Sequence, residues 1–504
     1  MRITNNMMMN NTTKNINGNK VNVNALNLQM SSQKKIQRPS ENPVIAIRSL
    51  RLRSTLSQIK QYSEKNITDA KAWMEATETA LKNMNKILTD VKAECVRGTN
   101  SDLTADDRNT ILKNLTALKN QLYSEGNADN SGRTVFTGFK TGSKLTFQED
   151  EAKTKYEITQ NFTYKDLEEY AYYSGSVEVP ATSAEVKDLS EIPEIYKDNY
   201  NRIRLPYDKI DQVNTITATD EDGNAITLPT PTVYETEADW QAAAGANGHK
   251  TIGDNEIVII KNTGDVIVGS AINDTLKSGR ASIQVEYQKT GFDKGELRPE
   301  YYYNCKDVTD AARPIEYQKY DDNGNKIYED IKYTVSLNQT ITINLQADEL
   351  FDMSIYQDVV EMIDAVQVAI NAHDKVDKLK AMKNEAQFAD CKEEVEKWLA
   401  AAEKEASYAD SRLTDLYSAE NGKFDKYMQK LNIAYTEMGA RGSQLEMTET
   451  RIDNLKLTQE ELQSDNEDKE LSDIIIEYTA AYNAYQASLL SAGKIEKQTL
   501  LDYI

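Results

Sequence analysis

Side chains able to do chemistry are few in this sequence, and their spacing suits none of the common centres. There are two histidines, His249 and His373, far apart and with no cysteine near either, so the His/Cys set of a zinc site is missing. His249 sits in a polar loop and His373 near a helix end, and both read as solvated surface imidazoles. The three cysteines, Cys95, Cys305 and Cys391, form no C-x-x-C pair, and an odd number cannot complete a disulfide framework. Cys95 falls on an apolar helical stripe, which predicts a buried free thiol. Gly245-Ala246-Asn247-Gly248-His249-Lys250-Thr251 fails as a phosphate loop, which needs four residues between its glycines and a glycine directly before lysine. In Asp321-Asp322-Asn323-Gly324-Asn325 the glycine comes too early for a calcium loop, and Lys326-Ile327-Tyr328 continues as a strand, so a hairpin is the better reading. No catalytic residue, cofactor or metal is expected.

Charge and hydrophobic period say more. A net charge of -22 over 504 residues argues against nucleic acid, whose phosphates need a basic patch, and against anionic membrane surfaces. No apolar run approaches the roughly 20 residues of a membrane span; the longest surrounds Ile257 to Ile260. The first residues lack the basic-then-apolar layout of a secretory signal, which leaves a cytoplasmic protein or one exported without a cleaved signal.

The first forty residues are rich in asparagine, a modest helix former. Val21, Leu26, Leu28 and Ile36 nevertheless make a partial apolar stripe, which predicts a segment disordered when free and helical once covered. Pro39 and Pro43 break the chain. A helix follows from Pro43 to about Gly98, roughly 75 Å at 1.5 Å per residue. On it Ile67, Ala70, Met74, Thr77, Leu81, Met84, Leu88, Val91 and Cys95 recur at the spacing of a coiled-coil seam. A second helix opens at Thr104, with Asp107 placed for a capping box. From 135 to 350, short alternating runs rich in Val, Ile, Thr and Tyr are divided by Asp222-Gly223, Thr263-Gly264 and Asn323-Gly324, each a hairpin signal. The last of these runs is a strand over 331–345. Helix returns after Phe351, a charged helix runs from about Asp374 to Tyr417, and Asn421-Gly422 interrupts it. A further helix from Phe424 carries a seam at Leu445, Thr448, Ile452, Leu455, Gln459 and Leu462. The final helix carries Leu471, Ile475, Tyr478, Tyr482, Tyr485, Leu489 and Ala492.

The order predicts a mainly α fold with an inserted β-rich domain: an elongated antiparallel helical bundle or coiled coil of the N- and C-terminal regions, with a central β domain. The expected divisions are an assembly segment 1–42, one shaft half 43–134, the inserted domain 135–350, the other shaft half 351–465 and an assembly helix 466–504. Ile67, Met74, Leu81, Met84, Leu88 and Val91 are expected to pack within the subunit against Leu445, Ile452, Leu455 and Leu462. Leu471, Ile475, Tyr478, Tyr482, Tyr485 and Leu489 are expected to join subunits, since clustered tyrosines give large contact surface at low entropy cost. A filament subunit, an adhesin on a helical stalk and, least of all, a carboxylate-pair hydrolase are the other readings.

Several motifs carry a family resemblance. Met1-Arg2-Ile3-Thr4-Asn5 with Met7-Met8, and Pro39-Ser40-Glu41-Asn42-Pro43 followed by Ala46, Leu50, Leu52-Arg53 and Leu56, resemble the opening of the hook–filament junction proteins (hook-associated protein 3) of the flagellin superfamily. Gln61-Tyr62, Asn66, Ala70, Trp73, Thr77, Ala80 and Leu81 are similar, as is Arg133-Thr134-Val135-Phe136-Thr137-Gly138 to the strand opening the outer domain. Glu437-Met438-Gly439-Ala440-Arg441 with Leu445, Tyr482 with Gln486-Ala487-Ser488-Leu489, and Thr499-Leu500-Leu501-Asp502-Tyr503-Ile504 resemble its C-terminal helices. The resemblance implies an extracellular structural adaptor at the hook–filament junction of the bacterial flagellum. It implies hook-associated protein 1, flagellin and copies of the same chain as partners. It also implies type III export without a cleaved signal peptide, guarded by a cytoplasmic chaperone on the C-terminal helix.

Overall fold

The computed structural model describes residues 5–98, 103–243, 250–321 and 324–497. Met1 to Thr4, the loop holding His249, Asp322-Asn323 and the terminal Thr499 to Ile504 motif lie outside the described residues. The chain is mainly α with a β-rich region inserted between N- and C-terminal helices. The helices are α1 (Asn5–Ser32), α2 (Pro43–Gln61), α3 (Thr68–Gly98), α4 (Ala105–Gly126), α5 (Ser183–Lys187), α6 (Glu237–Ala242), α7 (Ser270–Ser278), α8 (Ala347–Leu350), α9 (Ser354–Met382), α10 (Lys392–Glu467) and α11 (Leu471–Lys497). Two compact units are distinguished: one of Met1–Lys71, Tyr333–Ile341 and Gly442–Ile504, the other of Ala72–Lys332 and Thr342–Arg441.

The first unit is helical. Asn42 caps α2 through its side chain, with Pro43 in the first turn where its missing N–H costs nothing. One π-helical turn, Tyr62–Ile67, joins α2 to α3, a feature absent from the sequence expectations. The end of α10 runs antiparallel to α2: Asn466 donates to the Ile45 carbonyl at 3.1 Å, and Lys60 meets Glu460 at 3.1 Å. Nearer the π turn, Lys456 pairs with Glu64 at 2.7 Å and Ser63 with Asp453 at 2.6 Å. A small hairpin, Lys332–Ser336 and Gln339–Thr342, supplies this unit's 333–341 segment. It corrects the expected single strand over 331–345: Asn338 takes φ 58°, a left-handed turn that asparagine tolerates, and the chain folds back. Asn66 of the π turn donates to Thr334 O at 2.7 Å.

The second unit packs helices with two large sheets and a two-stranded ladder. The strands in chain order are β1 (Asp129–Asn130), β2 (Arg133–Thr134), β3 (Glu151–Thr163), β4 (Glu168–Ser174), β5 (Tyr196–Arg204), β6 (Gln212–Thr219), β7 (Ala225–Ile226), β8 (Thr232–Tyr234), β9 (Ile257–Ile260), β10 (Asp265–Val268), β11 (Ser282–Phe292), β12 (Asn304–Asp307) and β13 (Ile315–Tyr317). One large sheet runs β13-β12-β3-β11-β6-β7 and the other β4-β5-β10-β9-β8, with β1-β2 as the ladder. The hairpins at Asp222-Gly223 and Thr263-Gly264 form as read, with Gly223 at φ 85° and Gly264 at φ 72°. The third forms in short: Tyr320 bridges Lys326 antiparallel and Ile327 N donates to Lys319 O at 2.9 Å, while β13 pairs with β12 instead of with the returning run.

Helix boundaries in this unit also differ from expectation. The chain breaks at 383–391, where a 3-10 turn, Ala386–Cys391, separates α9 from α10. It does not break at Asn421-Gly422, which lies inside α10. An internal glycine costs only about 1 kcal/mol, and the flanking Tyr417, Phe424 and Tyr427 are all buried, which outweighs it. Here α3 and α10 again run antiparallel: Thr89 meets Met428 and Lys92 pairs with Asp425. At the end of α3, a Cβ on Gly98 would overlap the Tyr417 ring. Gly98→Ala is therefore expected to lower stability by about 1–3 kcal/mol through overpacking, read as a fall in the thermal midpoint.

Candidate assembly surface

The two terminal helices pair with each other. α1 turns back at Gln33, held at φ 56°, and the chain between α1 and α2 lies beside the turn from α10 to α11. Lys35 N donates to Glu467 O at 2.7 Å and Lys469 N to Gln33 O at 3.0 Å. From that clasp α1 and α11 run antiparallel, with Asn19 reaching the Ala484 carbonyl at 3.4 Å. The covered stripe of α1 is Thr12, Ile16, Asn19, Val23, Leu26 and Met30, all half-buried at alternating steps of four and three. The matching stripe of α11 is Ile474, Tyr478, Ala481, Tyr485, Ser488 and Ala492, of which only Ile474 is fully buried. That period marks a two-helix coiled-coil seam. Alanine and serine carry little hydrophobic signal, so the sequence pointed one position away, to an adjacent stripe sharing Tyr478, Tyr485 and Ala492.

The adjacent stripe is the feature of interest. Leu471 is 43% exposed, Ile475 47%, Tyr482 41% and Leu489 44%. Ile475, Tyr482 and Leu489 are one heptad apart, in the position flanking the seam. Tyr478 and Tyr485 stand half-buried at the border, and Tyr478 stacks on Tyr482 with ring centroids 6.0 Å apart. Ile476 and Leu490 widen the apolar face. Contiguous apolar exposure of this kind marks an interaction surface more than a solvent face.

The shaft residues divide. Ile67, Met74, Leu81, Met84, Leu88 and Val91 are buried, as are Leu445 and Ile452. Leu455 and Leu462 are exposed, which corrects their expected seam position. Beyond Ile452 the face of α10 turned to α2 runs through Lys456, Gln459, Glu460, Gln463 and Glu467. The contact there is a ladder of ion pairs and amide bonds, and the leucines turn outward beside Leu457. On α2, Val44, Ile47 and Leu50 are likewise exposed.

Glu467 closes the polar ladder. Its carboxylate is almost fully buried and accepts from Arg53 Nε at 2.7 Å, Arg53 Nη2 at 2.6 Å and Ser49 Oγ at 2.5 Å, with Lys34 Nζ at 3.4 Å. The Arg53 hydrogen bond, then Ser49 and the Arg53 charge, overcome burial and hold its pKa at about 2, against 4.5 for a free glutamate. A carboxyl depressed on folding contributes stability that is complete above its unfolded pKa and lost as pH falls through the folded value. The stability gap between wild type and Glu467→Gln should therefore be full at neutral pH and shrink between about pH 4.5 and pH 2. Thermal unfolding followed by circular dichroism across that range reads it.

The residues first considered for chemistry lie elsewhere. All three cysteines are buried and free, and burial pushes the Cys95 thiol up to about 12. His373 lies within α9, not at its end, with Nε2 2.9 Å from Asp410, which also takes Arg108 at 2.5 Å. Among the described residues no group of three or more His, Cys, Asp or Glu is placed to hold a metal.

Residues 3–141 match the bacterial flagellin N-terminal helical region. The flagellar hook-associated protein 3 of Escherichia coli K12 is 29% identical over 126 residues, 25% of this chain and 39% of that protein. The protein of the same name from Salmonella typhimurium LT2 is 28% identical over 142 residues, 28% of this chain and 44% of that one. The chain thus spans about two fifths of the length of these relatives. A solved flagellar hook-associated protein 3 from Legionella pneumophila aligns with a TM-score of 0.30 at 12% identity, covering 82% of this chain and 97% of that one.

Proposed function

We propose that this chain, which carries the flagellin-type N-terminal helical region over residues 3–141 and resembles hook-associated protein 3, is a structural adaptor of the bacterial flagellum. In this reading it joins the hook, through hook-associated protein 1, to the flagellin filament, and it acts outside the cell without catalysing a reaction. The observation that carries the reading is the row Leu471, Ile475, Tyr482 and Leu489, exposed on a helix whose other face is already covered by α1. A helix with one partner and a second apolar face is equipped for a second partner.

Assembly then proceeds by coupled folding. The asparagine-rich α1 has little helix propensity of its own, and the seam with α11 is only half-buried, so the pair gains order when further subunits cover it. Before assembly the same apolar face needs protection, the task of a cytoplasmic export chaperone on α11. Segments 1–42 and 466–504 are the proposed assembly parts, 43–134 and 351–465 the shaft, and 135–350 the outer domain, with the 333–341 hairpin grouped with the shaft end.

Immunogold labelling of intact flagella tests the proposal. A single band at the hook–filament boundary is expected. Label along the whole filament would instead identify a filament subunit, and label absent from flagella would remove the flagellar reading.

A further inference from the structure

Lys289 is the most deeply buried of the described lysines of the second unit. It lies on β11, a central strand of the six-stranded sheet, and is 1% exposed. Its Nζ is 3.3 Å from Asp208 Oδ1 and 3.4 Å from Glu296 Oε1, and it donates to the Asp208 carbonyl at 2.7 Å. Glu296 is 2% exposed, fixed by the Asp293 N–H at 2.9 Å. The aromatic rings of Tyr207 and Phe292 flank the amine at 5.8 Å and 5.4 Å, and Phe292 is in turn packed by Phe147, Tyr156 and Tyr207. An amine and two carboxyls are thus held together in an aromatic enclosure, fixed by β11, the loop after it and the β5–β6 loop.

Buried ion pairs recover little of their desolvation cost. The same enclosure favours any route that removes the charges, and it holds the amine against the Asp208 carboxyl group, 3.3 Å from Oδ1. We propose that Lys289 and Asp208 form an intramolecular isopeptide bond, with Glu296 as the proton relay. The Lys289 ammonium gives a proton to Glu296, and the freed amine attacks Asp208 Cγ, forming the C–N bond. Glu296 passes its proton to an Asp208 oxygen, the nitrogen loses a second proton to the same oxygen, and the C–O bond breaks. One proton stays on the amide nitrogen, two leave with the oxygen as water, and no oxidant or cofactor enters. Burial pushes Glu296 up to about 7, near where a group both takes and gives a proton. Asp208, with about a third of its side chain exposed (30%), gives the water a way out.

The assignment concerns the fold of the second unit and is independent of any role in the flagellum. Intact-mass measurement of the folded full-length chain tests it. The wild type is expected to be one water lighter than its sequence, and digestion should yield a branched peptide joining the Asp208 and Lys289 segments. Lys289→Arg, Asp208→Ala and Glu296→Gln should each retain the full sequence mass, with circular dichroism reporting that they fold. A wild type at full mass shows an ordinary ion cluster and overturns the proposal. So does loss of water with only linear peptides, as from a succinimide at Asp222-Gly223. A dehydrated Asp208→Ala variant linked through Glu296 overturns the choice of acceptor.

Discussion

Replacing Ile475, Tyr482 and Leu489 together by glutamate should leave the isolated chain folded and abolish the proposed assembly into flagella. All three side chains are more than 40% exposed, so each change should alter monomer stability by no more than about 0.5 kcal/mol. Glutamate also keeps helix propensity. In an assembled state the same positions would place three carboxylates against an apolar partner. Full burial of side chains of this size contributes about 1.5–3 kcal/mol each, and uncompensated buried charge costs more. Several kcal/mol per contact should be lost, enough to reduce subunit association more than a thousandfold. Motility and electron microscopy of the variant strain read the outcome, with circular dichroism of the purified chain as the control for folding. Ile474→Glu, one position away and fully buried, should instead open the α1–α11 pair. Normal filament attachment in the triple variant would show that this face is not the joint.

The largest effect on stability is expected at Arg202. Its guanidinium is almost fully buried, with Nε 2.8 Å from Glu168, Nη1 3.2 Å from Asp265 and Nη2 2.9 Å from Glu361, and it lies 3.8 Å from the centroid of the Tyr170 ring. Arg202→Met keeps much of the volume and leaves three carboxylates without their common partner. Breaking a buried pair from one side costs about 3–5 kcal/mol, and chemical denaturation should show a loss of that order in the second unit. The pH response should change as well. Burial alone would raise Glu361, but Arg202 and Arg204 more than reverse it and hold the carboxyl far below the usual range. Its contribution is therefore present at neutral pH and lost on strong acidification. In Arg202→Met that acid loss should diminish, because less of the contribution remains to be lost. Unchanged stability in Arg202→Met would mean the cluster is held by Arg204 and the packing alone.

What could be read in the sequence had local causes. The start of α2 follows from Asn42-Pro43 and that of α4 from Thr104 with Asp107, each a cap made by neighbours in the chain. The turns at Gly223 and Gly264 follow from a positive φ that glycine adopts without strain. The buried stripe from Ile67 to Cys95 follows from its period. The hidden features depend on distant residues. Asn421-Gly422 resembles a helix end until the aromatic residues around it are seen to be buried. Leu455 and Leu462 fit a heptad, but the polar residues of α2 select a different face of α10. Arg202 draws together Glu168, Asp265 and Glu361 from three separate segments, which no window of sequence contains. For the proposed assembly surface, the sequence showed the apolar character of α11 but not which of two overlapping stripes α1 would occupy.

The π turn between α2 and α3 has a bearing on length. Ile59 and Ile67 are both buried, and their separation of eight is one residue more than the seven of a strict heptad. The wider turn absorbs the surplus residue, so the stripe resumes at Ile67 and Ala70 on the side it left at Ile59. Tyr62–Ile67 thus works as a phase corrector. A chain one residue shorter here could carry the same stripe through an uninterrupted α-helix, so the length of this segment can vary by a single residue while the faces on either side stay aligned.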